Sequence, residues 1–248
     1  MLKVVNIKKT FNGTVVLDGV NFEILEGDRF MIIGRSGGGK SVLLRIILGL
    51  IKPDSGEVWY KGQNIVTLSE RKLAPLRRDM GMVFQNGALF DFMTVEENVA
   101  FALREKGGMS EKEIKKEVSE LLERLLLKGQ EKKMPSELSG GMRKRVAVAR
   151  AVIAKPKIIF FDEPTAGLDP IASSELNALI CSLNKEFNVT TVIVTHDMEA
   201  VRQLGITVAM LYNGKIYSIG TPQEFESSKD PVIRNFVHGI IESEVRCN

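Results

Sequence analysis

Three features of this sequence predict an α/β fold with a mostly parallel sheet. Short continuous apolar runs recur at residues 30–33, 158–161, 190–194 and 208–212, as strands buried on both faces of a parallel sheet require. Segments with helical spacing of apolar residues lie between some of these runs, and strand–helix–strand alternation marks a parallel sheet. The chain's 248 residues, 44% of them hydrophobic, suffice to enclose the core such a sheet needs. That length allows one large domain or two small ones.

In chain order, residues 2–7, 15–18, 20–25 and 29–33 read as short strands punctuated by Gly13, Gly19 and Gly27. A glycine-rich loop follows, then a helix over 41–50 ended by Pro53 and Gly56, a strand over 57–60 and a turn at Lys61-Gly62. Thr94-Val95-Glu96-Glu97 has capping-box spacing. Residues 110–127 carry Ile114, Val118, Leu121, Leu122, Leu125 and Leu126 at helical spacing, the pattern of core packing. A second helix, 139–153, begins at Gly140-Gly141, and a third, 171–187, separates two of the apolar runs. The helical block at about 87–155 reads as an insertion between two parts of one core. Asp230-Pro231 is a cap followed by Pro at the first helical position. The stripe behind it, Val232, Ile233, Phe236, Val237, Ile240 and Ile241, suits packing on the chain's own core or on a second copy.

Composition excludes several classes. The charge is nearly balanced, 34 Lys and Arg against 31 Asp and Glu, which argues against nucleic acid as the main partner, since that calls for a concentrated basic surface. Cys181 and Cys247 belong to no Cys-x-x-Cys pair and read as free thiols in a reducing compartment. Residues 1–7 lack the long apolar run and cleavage site of a signal peptide. The longest apolar stretches, such as 206–212, fall far short of the roughly 20 residues of a membrane helix. The expectation is a soluble chain that serves any membrane through a partner.

Gly34, Arg35, Ser36, Gly37, Gly38, Gly39, Lys40 and Ser41 fit the pattern G-x-x-x-x-G-K-[ST], after an apolar strand and at the start of a helix. A triphosphate needs many donors at close range. Glycines let successive backbone N–H groups turn inward as an anion nest, and the helix sets its positive end on the same phosphates. Lys40 adds a mobile charge for the β- and γ-phosphates, and Ser41 a hydroxyl for Mg²⁺, which takes few protein ligands. The strand at 158–161 ends in Asp162, suited to Mg²⁺, and Glu163, suited to orienting or deprotonating a water. His196 ends the strand 191–195, at the sheet edge where α/β ligands bind; His238 reads as structural or exposed. Ser139, Gly140 and Gly141 offer a hydroxyl and two glycine N–H groups at a second helix start, a second anion site. Two such sites in one chain suit an opposed dimer in which each phosphate loop meets the other copy's Ser139 segment.

The order of these motifs resembles the nucleotide-binding subunits of ABC transporters. The matching residues are 34–41, Gln85, 138–142, 158–163, 166–169 and His196, and the likeness covers about residues 1–225. It implies a P-loop NTPase core with a mostly parallel sheet, an N-terminal antiparallel β subdomain and an inserted helical subdomain. Residues 1–225 would be the nucleotide-binding domain and 226–248 a C-terminal helical extension. It implies an ATPase with ATP and Mg²⁺ as cofactors, working as a homodimer. By the same resemblance Phe11 stacks on adenine, Gln85 senses the γ-phosphate and Mg²⁺, and Asp169 sits at the dimer seam.

The usual signature ends in Gln, whereas here Met142 stands there. With residues 34–41, 84–91, 138–145 and 162–171, that departure makes the chain most similar to Mla/Mce-type phospholipid-transport ATPases. Such a likeness implies a cytoplasmic subunit, peripheral on the inner face of the cell membrane. It would drive an integral-membrane permease associated with MCE-domain lipid-binding proteins. Residues 86–98 would meet the permease, with Phe90, Phe92 and Met93 in an apolar groove. An ATPase for another solute, and a soluble ABC ATPase outside transport, remain the alternatives.

Overall fold

A computed structural model describes residues 1–240; Ile241 and Cys247, named above, lie outside the described residues. The elements run β1 (Leu2–Phe11), β2 (Thr14–Ile24), β3 (Arg29–Ile33), α1 (Lys40–Ile47), β4 (Ser55–Tyr60), β5 (Gln63–Asn64), α2 (Glu70–Arg77), β6 (Met80–Val83), α3 (Val95–Lys106), α4 (Glu111–Arg124) and α5 (Gly140–Val152). They continue with β7 (Ile158–Asp162), α6 (Pro170–Phe187), β8 (Thr190–Thr195), α7 (Met198–Leu204), β9 (Thr207–Tyr212), β10 (Lys215–Gly220), α8 (Pro222–Glu226) and α9 (Pro231–Val237). An antiparallel sheet has the order β2-β1-β4-β5, and a six-stranded sheet the order β10-β9-β3-β8-β7-β6. The larger sheet is parallel except for β10, which pairs antiparallel with β9.

The apolar runs are buried on both faces because the larger sheet is covered on both. Phe30, Ile32, Phe160, Val192 and Val194 join one buried cluster with Leu43 and Leu44 of α1 and Val58 of the antiparallel sheet. Their neighbours Met31, Ile33, Phe161 and Ile193 face the other way, into a cluster with Val99, Val146, Leu176 and Val201. Alternation of side chains along a strand does this sorting. The helical block α3–α5 connects β6 to β7, which are adjacent and parallel. Its apolar faces, Val99, Leu103, Ile114, Val118 and Leu122, belong to that second cluster, so the insertion shares the sheet's core.

Local chemistry sets the element ends. Both α3 and α4 open on full capping boxes, Thr94 with Glu97 and Ser110 with Glu113, which satisfy N-terminal amides that would otherwise lack partners. The structure departs from expectation in several places. Residues 15–18 and 20–25 form one strand, β2, since Gly19 (φ +79°) absorbs a register irregularity opposite Asn6. Helix α1 ends at Ile47, before Gly49 at φ +67°, rather than at residue 50. Leu126, placed on the buried stripe, is 77% exposed because the chain leaves the helix in a left-handed turn there. In the tail, Ile233 and Val237 of α9 are buried in the chain's own core beside Phe225 of α8, with Val232 and Phe236 partly buried against it, while Ile240 is exposed. The expected division near residue 225 falls in the last turn of α8. No helix among the described residues is long and apolar enough to cross a membrane.

Candidate nucleotide site

Strands β3, β7 and β8 end side by side, with Ile33 opposite Thr195 and Asp162 opposite Val194. The chain therefore leaves the sheet at one edge in three places: into the loop 34–39, at Glu163 and at His196. Open parallel sheets bind ligands at this carboxyl edge. Ordinary strand pairing thus brings the residues predicted at 34–41, 162–163 and 196 together.

The loop needs its glycines for identifiable reasons. A Cβ on Gly34 would lie 2.4 Å from the Leu211 carbonyl oxygen. Gly39, at φ +93°, ends the loop in a conformation other residues rarely adopt and starts α1 with no side chain over its amides. Gly37, at φ +73°, has open space where a Cβ would stand, leaving room for a phosphate. Lys40 is 5% exposed. Its Nζ donates to the carbonyls of Gly34 at 2.9 Å and Arg35 at 3.0 Å, which hold the ammonium over the loop. Burial lowers the Lys40 pKa, against the opposing pull of Glu163 and Asp162. Beside the loop lies a cleft of about 330 Å³ lined by Val15, Val16, Ser36, Gly37, Gly38 and Asn213 among others.

Two carboxylates face the loop. Asp162 Oδ1 accepts from the Ser41 hydroxyl at 2.8 Å. Burial raises the Asp162 pKa, partly offset by that hydrogen bond. Among the described residues no group of three or more His, Cys, Asp or Glu is placed to hold a metal by itself. The Ser41–Asp162 pair instead fits Mg²⁺, a hard ion that takes one or two protein oxygens plus phosphate and water. Glu163 is almost buried and sits at φ +48°, a left-handed conformation rare for a non-glycine residue. Its Oε1 lies 2.9 Å from His196 Nδ1 and 3.6 Å from Lys40 Nζ. Its Oε2 accepts from the Thr195 hydroxyl at 3.2 Å and the His196 amide at 3.4 Å. The carboxylate is thus fixed from two sides, while the His196 ring remains 58% exposed on the open side.

The remaining predicted residues fall into three places. Ser139 caps α5, its Oγ accepting from Met142 N at 3.3 Å, and Gly140 and Gly141 are the first residues of that helix. They share a second cleft, about 450 Å³, with Asp169, whose Oδ1 caps α6 by accepting from Ala172 N at 2.9 Å. The two clefts have no lining residue in common. Gln85 follows β6 with its side chain exposed. Phe11 is exposed at the end of β1, under the Lys9 ammonium, and does not line the cleft beside the loop. Of the predicted groove residues only Phe90 lines the large cleft of about 750 Å³ beside β6, with Met82, Phe84, Phe101 and Arg150; Met93 does not, and Phe92 is 76% exposed.

Sequence reasoning missed the side chains that brace this site. Thr195 holds Glu163. Asn98 holds the segment before α3 through the backbone of Phe90, Met93 and Thr94. Arg150 of α5 donates to the carbonyls of Gly87 at 2.9 Å and Ala88 at 2.8 Å. Lys144, also on α5, reaches the carbonyl of Gln85. A signal existed for Lys144: it lies three and four residues before Ala147 and Val148, on the helix's apolar face, where a lysine is out of place.

This fold and edge geometry define a P-loop ATPase. The ABC transporter family profile matches residues 17–166, and the chain belongs to that family. It is an ATPase with ATP and Mg²⁺ as its cofactors. It is 41% identical to a methionine import ATP-binding protein, MetN, of Carboxydothermus hydrogenoformans, over 99% of this chain and 74% of that one. It is 38% identical to the intermembrane phospholipid transport system ATP-binding protein MlaF of Haemophilus influenzae, over 99% of this chain and 93% of that one. Among solved structures it resembles a dimeric ATP-binding cassette in a post-hydrolysis state bound to ADP and Pi, with 36% identity and a TM-score of 0.83 over 90% of this chain and 99% of that one.

Proposed function

We propose that this chain energises phospholipid transport of the Mla/Mce type as one of two identical ATPase subunits on a separate membrane permease. The observation that carries the reading is the convergence of Lys40, Ser41, Asp162, Glu163 and His196 at one sheet edge. In this reading Lys40 and the loop amides bind the phosphates. Ser41 and Asp162 hold Mg²⁺, with Gln85 as a further ligand or sensor. Bound there, Mg²⁺ would neutralise charge on the transferring phosphoryl group. Glu163 takes the proton of the attacking water, with the Thr195 hydroxyl and the His196 amide keeping its carboxylate in place. His196 contacts the γ-phosphate from the exposed side. Catalysis is mostly positioning and charge stabilisation.

The second copy supplies the rest. The Ser139–Gly141 helix start lies on a cleft separate from the loop, and in the dimer it caps the γ-phosphate bound to the other copy, with Asp169 at the seam. Phe11 is proposed for the adenine, in line with its exposed ring. Closure on ATP and opening after hydrolysis would move the permease through the groove of Met82, Phe84, Phe90 and Phe101.

The lipid substrate rests on Met142 and the 84–91 and 162–171 segments, and is in keeping with the full-length likeness to MlaF. An MCE-domain protein would then join through the permease, and the chain would sit on the cytoplasmic face of the membrane. A second reading, import of another solute, is favoured by the likeness to the methionine relative. The deciding experiment recovers the tagged chain with its membrane partner in mild detergent and identifies the bound small molecule. Phospholipid and an MCE-domain protein in the complex are expected. A complex that takes up an amino acid and contains neither rejects the lipid reading.

A further inference from the structure

Lys144 is a lysine where a helix should be apolar. It is 7% exposed on α5, and burying an ammonium is costly unless it is well bonded. Its Nζ donates to two backbone carbonyls from distant parts of the chain, Gln85 O at 2.5 Å and Glu163 O at 3.4 Å. Those are the residues proposed to sense the γ-phosphate and to activate water. Neither carbonyl belongs to a helix or strand; the Glu163 oxygen also accepts from Ala166 N at 3.2 Å in a turn, while the Gln85 oxygen takes its short bond from Lys144. Glu163 is also in a left-handed conformation, which persists only where surroundings hold it. Desolvation lowers the Lys144 pKa, against the opposing pull of the Glu163 and Asp162 carboxylates.

We infer that Lys144 is a positioning residue: it ties the backbones of Gln85 and Glu163 to helix α5, and so sets where both side chains stand during hydrolysis. Helix α5 opens on Ser139–Gly141, so one rigid element both faces the second copy and fixes these two carbonyls. The inference rests on the proposed roles of Gln85 and Glu163. Lys144 touches no reacting atom; it acts through them. A hydrophobic residue of equal length would fill the same space, so filling space does not account for a charge there.

The test uses Lys144→Met, which keeps length and removes the donors, beside Lys144→Gln and Lys144→Arg, which keep N–H donors toward the Gln85 carbonyl. Turnover, MgATP affinity with a non-hydrolysable analogue, and melting temperature are measured on each, with Glu163→Gln as a parallel control. Misplacing catalytic groups by about an ångström costs up to roughly 100-fold. Lys144→Met is therefore expected to lose at least about tenfold in kcat with analogue affinity within about threefold of wild type, and the Gln or Arg variant to recover part of kcat. A smaller loss of kcat overturns the inference. So does a loss shared equally by affinity and melting temperature, or one that neither conservative variant relieves. If Lys144→Met does not fold, Lys144→Ala, which also lacks the donors, is held to the same kcat and affinity criteria, with Lys144→Arg as its rescue. If Glu163→Gln turns over normally, the reading of the site itself has failed. If Glu163→Gln is inactive while Lys144→Met is normal, only this inference fails.

Discussion

Removing the Asn98 side chain should cost more than any surface substitution. Asn98 is fully buried at the start of α3. Its Oδ1 accepts from Phe90 N at 2.8 Å, and its Nδ2 lies 3.0 Å from each of the carbonyls of Phe90, Met93 and Thr94. A carboxamide has two donor hydrogens, so about three of these bonds are made at once. At roughly 0.5–1.5 kcal/mol net per bond, Asn98→Ala should lose about 2–4 kcal/mol. For a chain of this size that is about 4–16 °C in melting temperature. Asn98→Asp keeps the shape but turns a carboxylate toward three carbonyls, so it should fall at least as far. Calorimetry gives the melting temperatures, and amide exchange over residues 88–94 should quicken in both variants. If both melt within about 1 °C of wild type, this side chain does not hold the segment between Gln85 and α3, and the bracing described for it is wrong.

Further outcomes follow from the same geometry. Lys40→Ala removes the ammonium that the Gly34 and Arg35 carbonyls hold over the loop and should weaken MgATP binding at least tenfold or so; unchanged affinity by titration calorimetry would contradict the loop assignment. The capping carboxylates Glu97, Glu113 and Glu224 have pKa values lowered from 4.5, each by hydrogen bonds from its cap residue, Thr94, Ser110 and Thr221. A depressed folded pKa gives stability that is complete above the unfolded value and lost as pH falls through the folded one. Stability should therefore drop below about pH 4.5, and the triple Gln variant, which cannot titrate there, should show a shallower drop in melting temperature from pH 5 to about pH 3. Equal slopes for the two proteins would remove the capping boxes from the acid response.

Much of the site was legible because its chemistry is local. The loop 34–41 is a contiguous pattern, and Asp162, Glu163 and His196 stand directly after apolar runs whose burial on both faces the sequence displays. Once those runs pair in register, their ends must meet. Six elements, β5, α2, β6, α7, β10 and α8, were missed because their signals are short or masked. In β6, Met80-Gly81-Met82-Val83 is only four residues long and carries a glycine; a Cβ on Gly81 would meet the Ala151 carbonyl at 2.9 Å, so the strand is defined by what packs on it. Helix α2 has Pro75 inside it, and α7 and β10 are only seven and six residues long. The bracing side chains were illegible for a different reason. Asn98 bonds within its own neighbourhood, but Lys144 and Thr195 act across 59 and 32 residues of sequence, and only the fold sets those pairs together. Leu126 went wrong because helical spacing continues in the sequence after the helix itself has stopped at Arg124.

The most direct trial of the account is Glu163→Gln, which keeps the side chain's size while removing the base held by Thr195 and the His196 amide. The variant should bind MgATP with near wild-type affinity, sediment as a dimer when MgATP is present, and hydrolyse it about 100-fold or more slowly. Hydrolysis at the wild-type rate would mean that the water is activated by some other group, and the assignment of this sheet edge would have to be rebuilt.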